Sequence, residues 1–323
     1  MKKNVRSFFA RRSAWQSLAA VLVISGGLLA LGTYALGHAP DTITVTDNPK
    51  VPSTTAAAIA APKPNPFANI QLTGQSAVVV DLSTGETLYA QNADVQLPLA
   101  SLTKLITTYA AADTLTPDSL VTISDTALAQ DGDYGLVQGQ TFAFKDIARF
   151  ALVGSSNDAA EAIIETAAAA RGESVEALLS STISQLHLSS TRASNGTGLD
   201  VDTEEAGAYG TARDVAKLAN AVLKKAPTIS AATTRPSVTV RSTDGVAHTL
   251  PNTDPVVTRL PGLLLSKTGY TDLAGGNLAV IFDAGFNHPV AIVVLGSTVT
   301  GRFTDVETLM HATLAHFAGV QGS

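Results

Sequence analysis

The hydrophobic pattern divides the chain into three stretches. The first is an almost wholly apolar run over residues 18–36, inside a segment with no charged residue between Arg12 and Asp41. A helix over this run spans about 28 Å, close to the hydrocarbon thickness of a bilayer, and exceeds the apolar part of most cleaved signal peptides. The pattern therefore predicts a membrane-spanning signal-anchor within residues 1–37.

The residues around this run predict its orientation. Five basic residues lie within the first twelve positions, and basic residues that flank a membrane helix stay on the cytoplasmic side. The chain after residue 37 is therefore expected outside the cytoplasm, whether the helix is retained in the cell membrane or cleaved after Ala35. Residues 38–66 are rich in proline, alanine and threonine without a hydrophobic period, which predicts an extended linker.

The third stretch, residues 67–323, has the patterns of one folded domain. Alternating or β-branched runs predict a hairpin of strands at 76–81 and 86–90. A helical middle and a second group of strands follow, and a helix closes the chain. The helices are predicted at 102–112, 145–152, 158–170, 175–186, 211–223 and 305–317, and the later strands at 238–241, 246–250, 263–268, 277–282 and 290–295. Strands on both sides of a helical insert indicate an α+β fold.

Charge and cysteine content exclude several classes of protein. Five of the 21 basic residues lie in the N-terminal segment, so the remainder carries 16 basic against 27 acidic residues, a net charge of −11. A nucleic-acid partner is not expected, because binding to phosphates requires clustered basic side chains. The chain has no cysteine, which excludes disulfides, thiolate nucleophiles and iron–sulfur clusters.

Three short strings contain the candidate chemistry, and each occurs once. They are Ser101-Leu102-Thr103-Lys104, Ser155-Ser156-Asn157 and Lys267-Thr268-Gly269. Each has an ordinary alternative explanation when taken alone: a solvated helix face, a helix N-cap and a strand that runs into a turn. Their combination in this order makes a shared site the stronger hypothesis.

The first string pairs a hydroxyl with an amine. If a helix begins near Ser101, this residue and Lys104 lie on one face, and the lysine can serve as the base that activates the serine. That role requires a lowered lysine pKa, from burial or from a second cation, for which Lys267 is the candidate. The backbone N–H of Ser101 would then be available to a developing oxyanion. A cationic, hydroxyl-bearing strand end around Lys267 suits the anionic end of a peptide, and Gly269 permits close backbone approach.

With these strings the chain resembles the penicillin-binding proteins, specifically the D-alanyl-D-alanine carboxypeptidase family. The similarity covers residues 70–320 and includes the segments 195–199 and 211–214. It implies the serine β-lactamase/transpeptidase fold, in which a mostly antiparallel sheet is flanked by helices and a helical lobe. Ser156 departs from the family pattern, where glycine or alanine is common.

The resemblance also implies roles for residues. Ser101 would attack the carbonyl of the penultimate D-alanine of a peptidoglycan stem peptide, Lys104 would act as its base, and Ser155 would relay a proton to the leaving D-alanine. Asn157 would hold a substrate amide, Lys267 and Thr268 would bind the terminal carboxylate beside Gly269, and the amides of Ser101 and Tyr270 would form the oxyanion hole. β-Lactam antibiotics would be covalent inhibitors, and no metal or organic cofactor is expected.

Other functions remain open from the sequence. A DD-endopeptidase or a transpeptidase would use the same residues, and a non-catalytic membrane-tethered binder of cell-wall peptides could keep the same pocket. A class A β-lactamase is disfavoured, because residues 189–194 lack the glutamate that would activate the deacylating water.

Overall fold

The computed structural model of the protein describes residues 65–321. The strands are β1 (Ser76–Asp81), β2 (Thr87–Gln91), β3 (Leu97–Pro98), β4 (Leu120–Thr122), β5 (Thr141–Ala143), β6 (Arg192–Ala193), β7 (Ala208–Gly210), β8 (Ser237–Arg241), β9 (Ala247–Pro251), β10 (Leu263–Thr271), β11 (Gly275–Asp283) and β12 (Pro289–Ser297). The helices are α1 (Lys104–Thr114), α2 (Asp125–Leu128), α3 (Phe144–Val153), α4 (Asn157–Arg171), α5 (Val175–Gln185), α6 (Ala212–Lys225), α7 (Pro227–Ala232) and α8 (Gly301–Gln321). A 3₁₀ turn over Ala100–Thr103 precedes α1.

The main sheet joins the two ends of the domain. Its five strands have the order β10-β11-β12-β1-β2, and every neighbouring pair is antiparallel. The predicted hairpin β1-β2 therefore pairs through β1 with the last strand, in a register that sets Ser76 opposite Leu295. The helical middle of the chain is an insert between these two groups of strands, and the predicted α+β class is confirmed.

The strands contribute side chains to two cores, one on each face of the sheet. Val78 faces the larger core, which contains the apolar sides of α1, α3, α4 and α6, whereas Val79 faces a smaller core with α8. The same alternation recurs on β12, where Val293 and Val294 face opposite cores. Because both faces are covered, these strands are continuous apolar runs rather than alternating ones.

The structure differs from the prediction in its short elements. β3, β6 and β7 form a small sheet of two- and three-residue strands, and β4 with β5 forms another small sheet, none of which the pattern predicts. The short helices α2 and α7 were not predicted either. The predicted signal-anchor and all of the linker except residues 65 and 66 lie outside the described residues. Over residues 65–321, no helix combines the length and apolarity that crossing a bilayer requires.

Candidate active site

The nucleophile candidate lies in a 3₁₀ turn rather than in an α-helix. Ser101 is the second residue of this turn, and Lys104 is the first residue of α1. Residues three apart are aligned in a 3₁₀ turn, which has three residues per turn, so the two side chains point the same way. Lys104 Nζ donates a hydrogen bond of 2.9 Å to Ser101 Oγ. Ala100, before the nucleophile, has a left-handed φ of 48°, which is unusual for an alanine.

A buried asparagine ties the nucleophile segment to the sheet. Asn277 of β11 is fully buried, and its Nδ2 donates to Pro98 O at 3.0 Å. Its Oδ1 accepts from the Gly296 N–H of β12 at 2.8 Å. One side chain thus links two sheet strands to β3, three residues before Ser101.

Lys104 is completely buried, and three acceptors surround its amine. Besides Ser101 Oγ, Lys104 Nζ donates to Asn157 Oδ1 at 2.6 Å and to Thr197 O at 2.7 Å. These bonds use all three protons of an ammonium group. Burial lowers the pKa of Lys104 to about 7, although the carboxylates of Asp158 and Glu161 act in the opposite direction. A lysine with this pKa can exchange a proton near neutral pH.

The second string forms the N-terminus of α4, with a different task for each residue. Ser156 is the N-cap, and its hydroxyl accepts from the Ala159 N–H. Ser155, one residue earlier, has a left-handed φ of 57° and faces the site. Asn157 begins the helix, binds Lys104 through Oδ1 and donates from Nδ2 to Asp131 O at 2.7 Å. Ser156, the residue that departs from the family pattern, thus supplies the N-cap. Its neighbours Ser155 and Asn157 still contact the two lysines.

The third string lies on β10, the edge strand of the main sheet. Lys267 is buried, and its Nζ donates to Ser155 Oγ at 2.9 Å and to Thr268 O at 2.8 Å. At Gly269 a Cβ would lie 2.9 Å from Leu99 O, so the absence of a side chain lets this edge approach the nucleophile turn. Tyr270 is 49% exposed.

Burial is the main cause of the lowered pKa of both lysines. Burial, and after it the charges of Lys104 and Arg302, lower the pKa of Lys267 well below its usual value. The sequence left burial and a second cation open as causes of a lowered Lys104 pKa, and in the structure burial is the main cause.

Two further residues, Thr197 and Arg302, contact the site, and the sequence analysis assigned neither of them a role. The carbonyl of Thr197 accepts from Lys104, within the segment 195–199 that resembles the family. Gly198 in this segment has a φ of 78°, and a Cβ there would lie 1.9 Å from Ala100 O. Arg302, near the start of α8, is buried and donates from Nη1 to Gly269 O at 2.5 Å. No sequence signal marks Arg302, because it lies 35 residues beyond Lys267 in a different element.

The three strings meet in two neighbouring hydrogen-bonded groups. Ser101, Lys104 and Asn157 form one hydrogen-bonded group, and Ser155 with Lys267 forms a second, with the two lysines close enough to repel. A hydroxyl beside a lysine of near-neutral pKa is an arrangement for acyl transfer. A cavity of about 650 Å³ lies elsewhere, between α5 and the β6-β7 pair, and none of the three strings lines it. Within residues 65–321, no three His, Asp or Glu side chains are grouped so as to hold a metal ion.

Comparison with known proteins places this arrangement in a class. Penicillin-binding protein D2 of Listeria monocytogenes, solved with ampicillin bound, is 29% identical and superposes with a TM-score of 0.65 over 76% of this chain and 98% of that one. The DD-transpeptidase of Streptomyces K15, at 22% identity, shares the fold with a TM-score of 0.67 over 76% of this chain and 98% of that one. Fold and site together define a domain of the penicillin-binding-protein type.

The family follows from the sequence comparisons. A profile described as D-alanyl-D-alanine carboxypeptidase matches residues 59–299, and the chain belongs to this family. A D-alanyl-D-alanine endopeptidase of Escherichia coli is 32% identical over 79% of this chain and 79% of its own length. A D-alanyl-D-alanine carboxypeptidase of the same organism is 30% identical over 76% of this chain. The chain spans 64% of the length of that carboxypeptidase.

Proposed function

We propose that the protein is a serine-type D-alanyl-D-alanine carboxypeptidase that trims peptidoglycan stem peptides through an acyl-enzyme on Ser101. The observation that carries this proposal is the 2.9 Å hydrogen bond between Ser101 Oγ and a fully buried Lys104 whose pKa is about 7. Membership of the D-alanyl-D-alanine carboxypeptidase family supports the substrate class.

The first half-reaction forms an ester and breaks a peptide bond. Neutral Lys104 takes the proton of Ser101 as Oγ attacks the carbonyl carbon of the penultimate D-alanine. The C–N bond then breaks, and the leaving amine receives a proton through Ser155. In the second half-reaction water attacks the ester and releases Ser101, so that each cycle consumes one water and frees one D-alanine.

The sheet edge binds the end of the substrate. Lys267 and Thr268 bind the terminal carboxylate, while Gly269 leaves room beside the nucleophile turn. The N–H groups of Ser101 and Tyr270 stabilise the oxyanion, and each such donor is typically worth about 2.7 to 4 kcal/mol of barrier. Asn157 holds a substrate amide in this scheme, for which its side chain gives up part of its bonding to Lys104 and Asp131.

β-Lactams are expected to acylate the same serine, because they combine a strained amide carbonyl with a carboxylate. The ampicillin complex of the Listeria relative supports this expectation. A slow second half-reaction would then leave Ser101 blocked.

A DD-endopeptidase is the second candidate. Two endopeptidase relatives are 32% and 30% identical to this chain. An endopeptidase would cut the cross-link between stem peptides with the same nucleophile and base. A transpeptidase, which passes the acyl group to an amine instead of water, and a non-catalytic peptide binder are further outcomes of the test.

The proposed place of action is the outer face of the cell membrane. The apolar run at 18–36 and the basic residues before it support a single-pass anchor with the catalytic domain exported. Fractionation of cells that express the full chain tests this, with recovery in the membrane expected. Recovery in the medium, with a new N-terminus after Ala35, would instead indicate cleavage.

The activity is tested with the full chain in detergent and with Ser101→Ala. Fluorescent penicillin should label the wild type and not the variant, and a pentapeptide ending in D-Ala-D-Ala should release D-alanine only with the wild type. Cleavage of a cross-linked dimer in preference to the pentapeptide would assign the endopeptidase. Labelling without any turnover would leave a binder, and no labelling at all would refute the proposal.

A further inference from the structure

A threonine outside the three strings touches the third one. Thr253 lies in the segment between β9 and β10, fifteen residues before Thr268. The two Oγ1 atoms are 2.6 Å apart, a short hydroxyl–hydroxyl hydrogen bond. Thr253 is exposed and Thr268 is buried, so Thr253 is the solvent-facing member of the pair.

Contacts on both sides hold Thr253 in place. Its own N–H donates to Val153 O at 3.1 Å, two residues before Ser155. Asn252, the residue before it, donates from Nδ2 to two backbone carbonyls at 2.8 Å each. Asp254, the residue after it, is buried and accepts from Ser266 Oγ at 2.6 Å. An exposed threonine with such anchored neighbours has a defined side-chain position, which is what a binding group needs.

Either hydroxyl can donate in the bond between Thr253 and Thr268. A hydroxyl has one proton to donate and can accept in return. The other acceptor within reach of Thr253 Oγ1 is Val153 O at 3.4 Å, too long for a good O–H···O bond. When Thr253 donates to Thr268 Oγ1, the proton of Thr268 is left for another acceptor. The carboxylate of a substrate or a β-lactam is such an acceptor.

We infer that Thr253 is a positioning residue of the carboxylate subsite, one that orients the Thr268 hydroxyl toward the anionic end of the substrate. This inference rests on the proposed function, because it assumes that Thr268 binds a carboxylate. Thr253 also connects the end of α3 with β10, since its N–H donates to Val153 O and its hydroxyl contacts Thr268, so it bridges the elements that carry the second and third strings.

The test compares Thr253→Val with Thr253→Ser and with a matched control. Thr249→Val is the control, because Thr239 and Thr249 form an exposed hydroxyl pair of 2.8 Å on the β8-β9 hairpin. The loss of one hydrogen bond predicts that Thr253→Val lowers both the rate constant of penicillin acylation and kcat/KM for D-alanine release about two- to tenfold. Thr253→Ser keeps the hydroxyl and should retain both values, as should Thr249→Val.

A double-mutant cycle with Thr268→Val distinguishes positioning from independent packing. If Thr253 acts through Thr268, then Thr253→Val causes no further loss in the Thr268→Val background. Multiplicative losses in the double variant, or wild-type rates for Thr253→Val with an unchanged melting temperature, would overturn the inference while leaving the proposed function intact. If the wild-type chain neither binds penicillin covalently nor releases D-alanine, both the proposed function and this inference are refuted.

Discussion

The helical and sheet sides of the candidate active site each carry a buried lysine, and the other charges near these two lysines differ in sign. Lys104, at the start of α1, has the carboxylates of Asp158 and Glu161 behind it. Lys267, on the edge strand β10, has Lys104 and Arg302 as its charged neighbours. Burial lowers the pKa of both lysines, whereas the neighbouring charges raise the pKa of one and lower that of the other.

This difference in neighbouring charge shows how two lysines can have different chemical properties in one site. A buried amine with carboxylates nearby keeps a pKa close to neutrality, which suits a base that must accept and return a proton. A buried amine beside cations holds its proton poorly until an anion arrives, because an opposite charge favours the charged form. We therefore expect Lys267 to gain a proton when an anionic ligand binds beside it.

Replacement of the helical-side lysine should have the largest effect. Lys104→Met removes the base and should reduce penicillin acylation by about a hundred- to ten-thousandfold, the usual contribution of general base catalysis. Stopped-flow labelling with fluorescent penicillin measures the loss. Lys145→Met, which changes an exposed lysine paired with Asp118, is the control and should react normally. Near-normal acylation by Lys104→Met would show that another group activates Ser101.

Replacement of the sheet-side lysine should cost less and should depend on the substrate. Lys267→Met should reduce kcat/KM about ten- to a hundredfold for a peptide with a free terminal carboxylate, from the loss of hydrogen bonds to a charged group. The matched peptide with a C-terminal amide should lose far less. Steady-state release of D-alanine, or of its amide, compares the two substrates. Equal losses for both would mean that Lys267 serves catalysis rather than recognition of the carboxylate.

The smallest effect is expected in the pH profile. Since Lys104 must be neutral to accept a proton, acylation should fall as the pH drops below about 7, the pKa of this lysine. Glu161 raises that pKa, so Glu161→Gln should lower it and move the midpoint of the profile to a lower pH. Glu176→Gln, which changes an exposed carboxylate on α5, should leave the midpoint unchanged. A shift of the midpoint to higher pH in Glu161→Gln would contradict this account of the base.

Much of the fold was predictable because apolar residues recur in its long elements with the spacing of a helix or a strand. The run at 76–81 became β1 with the predicted bounds, and the predicted helix at 175–186 became α5 within one residue. β3, β6 and β7 were missed because two or three residues have no measurable period and their pairing joins distant segments. The turn at Ser101 was expected as a helix, since a spacing of three residues is compatible with both α and 3₁₀ geometry.

The site was predictable only where its residues lie together in the sequence. Ser101 and Lys104 are separated by two residues, so the short string by itself predicts that their side chains meet. Arg302 and the carbonyl of Thr197 reach the site from other elements, so only the folded chain brings them there. The cause of the lowered Lys104 pKa was open for the same reason, because burial is a property of the packed structure.

The left-handed alanine before the nucleophile has a consequence for any attempt to make the protein more heat-resistant. Holding Ala100 at a φ of 48° costs about 1 to 2 kcal/mol in the folded chain. Glycine would relieve that cost but would also enlarge the freedom of the unfolded chain, which offsets roughly 0.4 to 1 kcal/mol of the gain. The net benefit is therefore small, and it would come with a looser peptide link directly before the reactive hydroxyl. Alanine at position 100 thus combines a small backbone strain with a stiffer chain directly before Ser101.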